Sequence, residues 1–254
     1  MKFELKQAKS FKYIDEGHGS VMLLLHGLFG ALSNWDGVIS HFSKHHRVII
    51  PWLPILEMPV KEATIDGLTD FIENFVNEMG LTNMILLGNS LGGHIALVYT
   101  LRHPNDVQKI ILTGSSGLFE NAMGGSYPRR GDRNYVVERI QYTFYDPNVV
   151  TQELIEEVWD ITNNIRKGLN IVSIAKSAQR QNLAEELYKI SHPVYLVWGL
   201  NDTITPPPVA HEFNRLLSNS SLHFIDKCGH APMMEHPDYF NVIIDEFIKP
   251  TVAA

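Results

Sequence analysis

Gly88-Asn89-Ser90-Leu91-Gly92-Gly93 lies between two apolar segments of different type. Met84-Ile85-Leu86-Leu87 before it is typical of a buried strand, and residues 94–99 after it are typical of a buried helix. A serine on a sharp strand-to-helix turn forms a nucleophile elbow, whose strained backbone needs a small residue on each side, here a glycine. We therefore expect the Ser90 hydroxyl to be exposed at a helix N-terminus, where backbone N–H groups favour developing negative charge.

Length and composition indicate one ordinary globular domain. The chain has 254 residues, of which 44% are hydrophobic and 19% are charged. Its formal net charge is -7 and it contains no long basic run, which argues against nucleic acid as the main partner.

The cysteine content and the length of the apolar segments indicate the cellular compartment of the protein. Cys228 is the single cysteine, so no intrachain disulfide can form, as expected in a reducing compartment. The first residues lack the apolar core of a signal peptide, and apolar runs such as Val21–Leu25 are too short to span a bilayer. We expect a cytoplasmic protein that does not associate with a membrane.

Strand and helix patterns alternate along most of the chain. Residues 2–15 alternate between apolar and polar types, which predicts an antiparallel hairpin at a sheet edge. Later strands and helices follow one another, which predicts a mostly parallel sheet in a three-layer α/β architecture. The predicted strands are Val21–Leu25, Arg47–Ile50, Met84–Leu87, Gln108–Thr113, Val194–Trp198 and Leu222–Ile225; the predicted helices include Thr64–Met79, Pro208–Leu217 and Pro237–Ile248.

The alternation stops between about residues 117 and 188, where turn residues and short helical patterns occur instead. We interpret 117–188 as a helical cap inserted over the C-terminal edge of the sheet. Residues 1–116 and 189–254 then form the core.

Three chemically suited side chains follow predicted strands. Ser90 follows one strand, Asp202 follows the strand that ends at Trp198, and His230 follows the strand that ends at Ile225. The C-terminal ends of parallel strands share one edge, so these residues can converge. A serine hydroxyl needs a base and the base needs an orienting acid, and the order Ser, Asp, His is the one expected on this scaffold. Asp226 is a less favoured alternative acid.

Stabilisation of the oxyanion is expected from backbone groups. The helix after the elbow offers the Leu91 N–H, and the turn after His26-Gly27 offers the Leu28 N–H. Loss of one such donor typically lowers the rate about a hundred- to thousandfold. His26 itself is expected to bond within its turn.

Four motifs together resemble the α/β-hydrolase superfamily: His26-Gly27-Leu28-Phe29-Gly30, the elbow, Trp198-Gly199-Leu200-Asn201-Asp202 and Cys228-Gly229-His230-Ala231-Pro232. The resemblance implies an α/β, three-layer α/β-hydrolase fold with a mostly parallel eight-stranded sheet and a helical cap insertion. It assigns Ser90 as nucleophile, His230 as base and Asp202 as acid. Glu235-His236-Pro237 is also similar to these enzymes.

Within the superfamily the elbow is similar to those of carboxylesterases and of hydrolases that split carbon–carbon bonds. The latter usually carry a Gly-Pro-Gly-like oxyanion turn and a tryptophan after the histidine, where this chain has Leu28-Phe29-Gly30 and Ala231. Residues 51–56 also replace a polar turn of many relatives with a more apolar loop. The departures at Leu28-Phe29-Gly30 and Ala231 favour an ester substrate.

Other reactive residues are expected to be structural. The usual explanation for His41, His45 and His46 is a solvated helix end, so no metal site is predicted. Cys228 is expected to pack as a small residue. A cluster of arginines and several aromatic residues of the insertion are open candidates for substrate contact: Arg129, Arg130, Arg133, Tyr127, Tyr135, Tyr142, Phe144, Tyr145 and Trp159.

The sequence therefore predicts a cofactor-free serine hydrolase that acts on a small carboxylic ester, as a monomer or homodimer. The alternatives are a carbon–carbon bond hydrolase of vinylogous diketones, a thioesterase, and a non-enzymatic receptor-like protein that binds a ligand on the same fold.

Overall fold

The computed structural model describes residues 2–30, 32–119 and 131–249. Eight strands form one sheet in the order β1-β2-β4-β3-β5-β6-β7-β8. The β1–β2 and β2–β4 pairs are antiparallel and the other pairs are parallel, which confirms the mostly parallel sheet with an antiparallel hairpin at one edge. The strands are β1 Lys6–Ala8, β2 Phe11–Glu16, β3 Ser20–Leu25, β4 His46–Pro51, β5 Met84–Asn89, β6 Val107–Thr113, β7 Val194–Gly199 and β8 Ser220–Ile225.

Helices cover both faces of the sheet. The α-helices of the described residues are α1 Asp36–Phe42, α2 Ile65–Met79, α3 Leu91–Arg102, α4 Arg133–Gln141, α5 Gln152–Asn163, α6 Ile165–Arg180, α7 Pro207–Leu216, α8 Pro232–Glu235 and α9 Pro237–Ile248. Side chains alternate across each strand, so Leu23 and Leu25 pack with α2, α3 and α7, whereas Met22 and Leu24 pack with α1 and α9. Two hydrophobic cores result, one on each side of the sheet, and they give the predicted three layers.

The helix after the elbow is enclosed on every side. All residues from Leu91 to Thr100 are buried, because α3 lies between the sheet and α2. A helix without a polar face is stable only inside a core, which agrees with the uniformly apolar pattern of its sequence. The elbow is thus held by a rigid element.

Helices α4, α5 and α6 interrupt the alternation between β6 and β7. Val136, Ile140 and Val158 form a small hydrophobic cluster of their own, separate from the two main cores. The buried Asn170 on α6 donates from Nδ2 to the carbonyl oxygens of Ile55 (3.0 Å) and Met58 (2.9 Å), and so attaches the insertion to the apolar loop after β4. The division into 1–116 plus 189–254 and 117–188 stays a prediction.

Candidate active site

Ser90 adopts a backbone conformation that L-residues rarely take, with φ 54° and ψ -119°. Such conformations cost on the order of 1–3 kcal/mol and persist only when the surroundings impose them. Here the Ser90 N–H donates to the Thr113 carbonyl oxygen (3.0 Å), and the Ser90 carbonyl oxygen accepts from the Ser116 N–H (3.2 Å). The end of β6 therefore clamps the turn on which Ser90 lies.

The glycines on either side of Ser90 are required by close backbone packing. A Cβ at Gly88 would lie 2.6 Å from the backbone of Gly92 and Gly93. A Cβ at Gly92 would lie 2.0 Å from the carbonyl oxygen of Leu25 at the end of β3. Both distances are far below any real contact, so the sequence-based explanation of these glycines is confirmed.

Asp202 and His230 meet in the interior beyond the ends of β7 and β8. Asp202 Oδ2 lies 2.9 Å from His230 Nδ1, and the two side chains are 0% and 8% exposed. Asp202 Oδ1 also accepts from the N–H groups of Ile204 (2.8 Å) and Thr205 (3.0 Å), and Oδ2 accepts from Thr205 Oγ1 (2.9 Å). These bonds compensate the buried carboxylate and fix its direction towards His230. Asp226, the alternative acid, is exposed.

The backbone of His230 is held from two sides. Its N–H donates to the Thr143 carbonyl oxygen (2.9 Å), and its carbonyl oxygen accepts from Asn89 Nδ2 (3.1 Å). Asn89 also donates to the Thr113 carbonyl oxygen (3.1 Å), so this neighbour of Ser90 joins the elbow strand to the histidine turn.

Ser90 and His230 line one cavity of about 420 Å³ beneath the inserted helices. Such a volume is within the range of ligand pockets. Leu28 and Leu91, the predicted oxyanion donors, line the same cavity. Asp202 lies behind His230. The remaining wall is mainly apolar and comes largely from α4, α5 and α6: Val136, Ile140, Leu154, Val158, Ile171, Val172, Ile174, Ala175 and Ala178.

The turn that carries Leu28 is held by a buried histidine. His26 Nδ1 lies 2.9 Å from the Gly27 carbonyl oxygen, and His26 Nε2 accepts from the Leu53 N–H (3.2 Å). This pair of contacts defines a neutral ring with its proton on Nδ1. The structural role expected for His26 is therefore confirmed, and His26 links the turn that carries Leu28 to the apolar loop after β4.

The model of the alpha/beta hydrolase fold family matches residues 20–158. The chain belongs to the α/β hydrolase family. It is an enzyme of the hydrolase type.

Three similar proteins illustrate the range of this family. A solved α/β hydrolase enzyme from the metagenome of sediments from the lagoon of Mar Chica, Morocco, is 40% identical, covers 97% of this chain and 98% of its own, and has a TM-score of 0.80. A 2-hydroxy-6-oxononadienedioate/2-hydroxy-6-oxononatrienedioate hydrolase of Pseudomonas putida is 26% identical over 93% of this chain and 91% of its own. A monoacylglycerol lipase of Homo sapiens is 24% identical over 91% of this chain and 76% of its own.

The other reactive residues of this α/β hydrolase lie apart from the cavity or have partners. Cys228 is buried, and burial raises the pKa of its thiol. Arg133 pairs with Glu156, and His41 pairs with Asp245. Within the described residues no group of three potential metal ligands occurs, and no helix there combines the length and apolarity that a membrane crossing needs.

Of the aromatic candidates, Tyr135 and Phe144 line the cavity. Tyr142 and Tyr145 are exposed, and Trp159 packs against Arg133. Tyr127, Arg129 and Arg130 lie outside the described residues.

Sequence reasoning assigned no role to two residues beside Asp202 and His230, namely Thr205 and Glu235. Thr205 bonds to Asp202 and lies 3.4 Å from His230 Nδ1 through its Oγ1. Glu235 accepts backbone N–H groups beside the His230 turn. The sequence signal for Glu235 is the similarity of Glu235-His236-Pro237 to α/β-hydrolases, whereas no sequence pattern indicates Thr205.

We expect the free energy of unfolding to depend on pH because two histidines are buried. Burial lowers the pKa of His26 and of His94 from 6.5 to about 4. The folded state then binds fewer protons than the unfolded state as the pH falls below 6.5. The contribution of these two neutral histidines to the free energy of unfolding is fully present above pH 6.5 and decreases as the pH falls from 6.5 to 4. At pH 5 the loss is about 2 kcal/mol per histidine.

Urea unfolding at pH 7.5 and pH 5 measures this loss. The variant His26→Asn removes one of the two groups, so its loss between the two pH values should be smaller by about 2 kcal/mol than that of the wild type. An identical loss in both proteins would contradict the assignment to His26.

Proposed function

We propose that this protein is a serine hydrolase that cleaves a small carboxylic ester through an acyl-enzyme. Ser90 is the nucleophile, His230 the base, and Asp202 the acid that orients His230. The observation that carries the proposal is the 2.9 Å contact of Asp202 Oδ2 with His230 Nδ1, on a histidine that lines the same cavity as Ser90. This arrangement suits acyl transfer because a serine hydroxyl becomes reactive only beside an oriented base.

In the proposed reaction, Ser90 Oγ attacks the ester carbonyl carbon while its proton passes to His230. The tetrahedral intermediate collapses when His230 returns that proton to the leaving alcohol, which leaves the acyl group on Ser90. A water molecule then loses a proton to His230 and attacks the acyl carbon. The second tetrahedral intermediate collapses when His230 returns this proton to Ser90 Oγ, which releases the acid and regenerates the Ser90 hydroxyl.

The proposed oxyanion donors are the backbone N–H groups of Leu28 and Leu91. Leu91 is the first residue of α3, so its N–H has no partner within the helix, and the helix dipole favours negative charge there. Leu28 belongs to a turn closed by the bond from the Gly30 N–H to the Gly27 carbonyl oxygen (3.0 Å). Donors fixed before the reaction stabilise the oxyanion without reorganisation.

The cavity wall supports an apolar acyl group. Its described lining includes two cationic side chains, Arg139 and Lys176, and no aspartate or glutamate, and the inserted helices contribute mainly aliphatic side chains. An apolar substrate gains roughly 25 cal/mol for each Å² of apolar surface removed from water. Thioesters fit the same wall and the same acyl-enzyme chemistry.

A second candidate is hydrolysis of a carbon–carbon bond in a vinylogous diketone. It is favoured by relatives named as hydrolases of 2-hydroxy-6-oxo dienoates and of 2-hydroxymuconate semialdehyde, which are 26% identical over more than nine tenths of this chain. Carbon–carbon bond hydrolases usually carry a Gly-Pro-Gly-like oxyanion turn and a tryptophan after the histidine. This chain has Leu28-Phe29-Gly30 and Ala231 at those places, so the ester remains the first candidate.

A substrate panel tests the proposal. We expect p-nitrophenyl acyl esters to be hydrolysed with a kcat/KM at least about a hundredfold above that of a 2-hydroxy-6-oxo dienoate, because the wall and the oxyanion turn suit an ester. A preference for the dienoate would support the second candidate. Absence of both activities, together with no labelling of Ser90 by a fluorophosphonate, would refute the serine-hydrolase mechanism.

A further inference from the structure

Glu235, the last residue of α8, connects two separate segments of the chain through one carboxylate. Its Oε1 accepts from the Gly229 N–H (2.7 Å), one residue before His230. Its Oε2 accepts from the N–H groups of Tyr145 (2.8 Å) and Asp146 (3.2 Å), in the segment that follows α4. Three backbone donors on a half-buried carboxylate are an unusual concentration, since most such donors are used within helices and strands.

The same two segments touch directly. The His230 N–H donates to the Thr143 carbonyl oxygen (2.9 Å). A Cβ at Gly229 would lie 2.6 Å from that oxygen and 2.9 Å from Phe144 Cα, so the two backbones pack too closely for any side chain. The turn before His230 and residues 143–146 therefore form one packed unit, with Glu235 bonded to both parts.

Part of the segment 143–146 also belongs to the wall of the cavity. Thr143 and Phe144 line it, as do Val136, Arg139 and Ile140 of the preceding helix α4. The segment after α4 and the backbone of the His230 turn are thereby connected through Thr143 and Glu235.

We infer that Glu235 is a positioning residue whose carboxylate sets the place of His230 and of the α4 wall together. This inference rests on the proposed role of His230 as base. A carboxylate has two acceptor oxygens and serves both segments at once. A glutamine has a single acceptor oxygen, and its NH₂ group would face backbone N–H donors on the other side. Glu235→Gln therefore cannot hold both segments at once, and because the two segments pack as one unit, release of either one loosens both.

Steady-state kinetics on p-nitrophenyl esters separates positioning from binding. For Glu235→Gln we expect kcat to fall about ten- to hundredfold, while KM changes less than about threefold, because small misplacements of a catalytic group affect the reaction more than binding. Glu235→Asp keeps both carboxylate oxygens. If Glu235→Gln lowers kcat about a hundredfold, the kcat of Glu235→Asp should be at least about tenfold higher than that of Glu235→Gln. The matched control is Glu212→Gln on α7, an exposed glutamate paired with Arg215, which should leave kcat unchanged.

Amide hydrogen exchange supplies a readout that does not depend on activity. The N–H groups of Gly229, Tyr145 and Asp146 should lose protection together in Glu235→Gln, while those of α3 keep theirs. If Glu235→Gln does not fold, the same joint loss is expected in a milder form in Glu235→Asp.

Unchanged kcat in Glu235→Gln, or exchange that rises in one segment without the other, would overturn the inference. An inactive wild type with the expected exchange pattern would instead refute the proposed function and leave the structural link intact.

Discussion

Ser90→Ala should lower kcat for ester hydrolysis by a factor of about 10⁶, because removal of the nucleophile of such a site abolishes the covalent route. The proposed oxyanion donors are backbone groups and stay in place, so KM should change little and a residual rate above that of water is expected. Steady-state kinetics on p-nitrophenyl esters, with enzyme freed from wild-type contamination, measures the effect. Labelling by a fluorophosphonate should disappear in the same variant.

The matched control is Ser116→Ala, another serine of the cavity wall. Its hydroxyl lies 3.5 Å from the Ser90 carbonyl oxygen and does not attack the substrate in the proposed reaction, so this variant should keep most of the activity. If Ser90→Ala retained more than about a tenth of the wild-type kcat, Ser90 would not be the nucleophile.

Ser90→Gly adds a test of the backbone strain. Glycine adopts positive φ at little cost, so this variant should be inactive and yet more stable than Ser90→Ala by about 1 kcal/mol in urea unfolding. Equal stability of the two variants would show that the elbow conformation stores little energy. The expected result illustrates a frequent relation, in which a strained reactive group lowers the stability of its fold.

Asp202→Asn should lower kcat by about 10⁴-fold with only a small change in KM. The asparagine oxygen can still accept from the Ile204 and Thr205 N–H groups, which now bond to Oδ1. The NH₂ group then faces His230 Nδ1, which must accept a hydrogen bond and give up its proton. His230 is left with its proton on Nε2, the wrong nitrogen for a base that serves Ser90.

The control for this prediction is Asp226→Asn, which makes the same chemical change at an exposed carboxylate four residues before His230. It should retain the wild-type kcat on the same esters. A large loss in Asp226→Asn together with a small one in Asp202→Asn would reverse the assignment of the acid, despite the 2.9 Å contact between Asp202 and His230.

Much of the core could be predicted because its signals are local. Apolar runs bounded by turn residues predict Met84–Leu87 and Val21–Leu25, and the structure has strands at Met84–Asn89 and Ser20–Leu25. The helix predicted at Pro237–Ile248 has those bounds. Such patterns suffice because a central parallel strand must be apolar on both faces, whatever its neighbours are.

Other parts of the site depend on contacts between residues far apart in the chain. Glu235 meets Tyr145 across 90 residues, and Asn89 meets His230 across 141 residues. No periodicity or spacing in the sequence predicts these two contacts. The same holds for the cavity wall, because the faces that α4 and α6 present to the cavity depend on how the insertion packs over the sheet.

The sequence by itself determined the α/β architecture, the elbow with its obligatory glycines, and the order of Ser90, Asp202 and His230. These features follow from side-chain periodicity, local sterics and the shared edge of parallel strands. Only the tertiary structure decided that Asp202 rather than Asp226 faces His230, which side chains enclose the cavity, and that Glu235 joins the His230 turn to the inserted helices. Those outcomes depend on the packing of distant segments, and that packing depends on the whole chain.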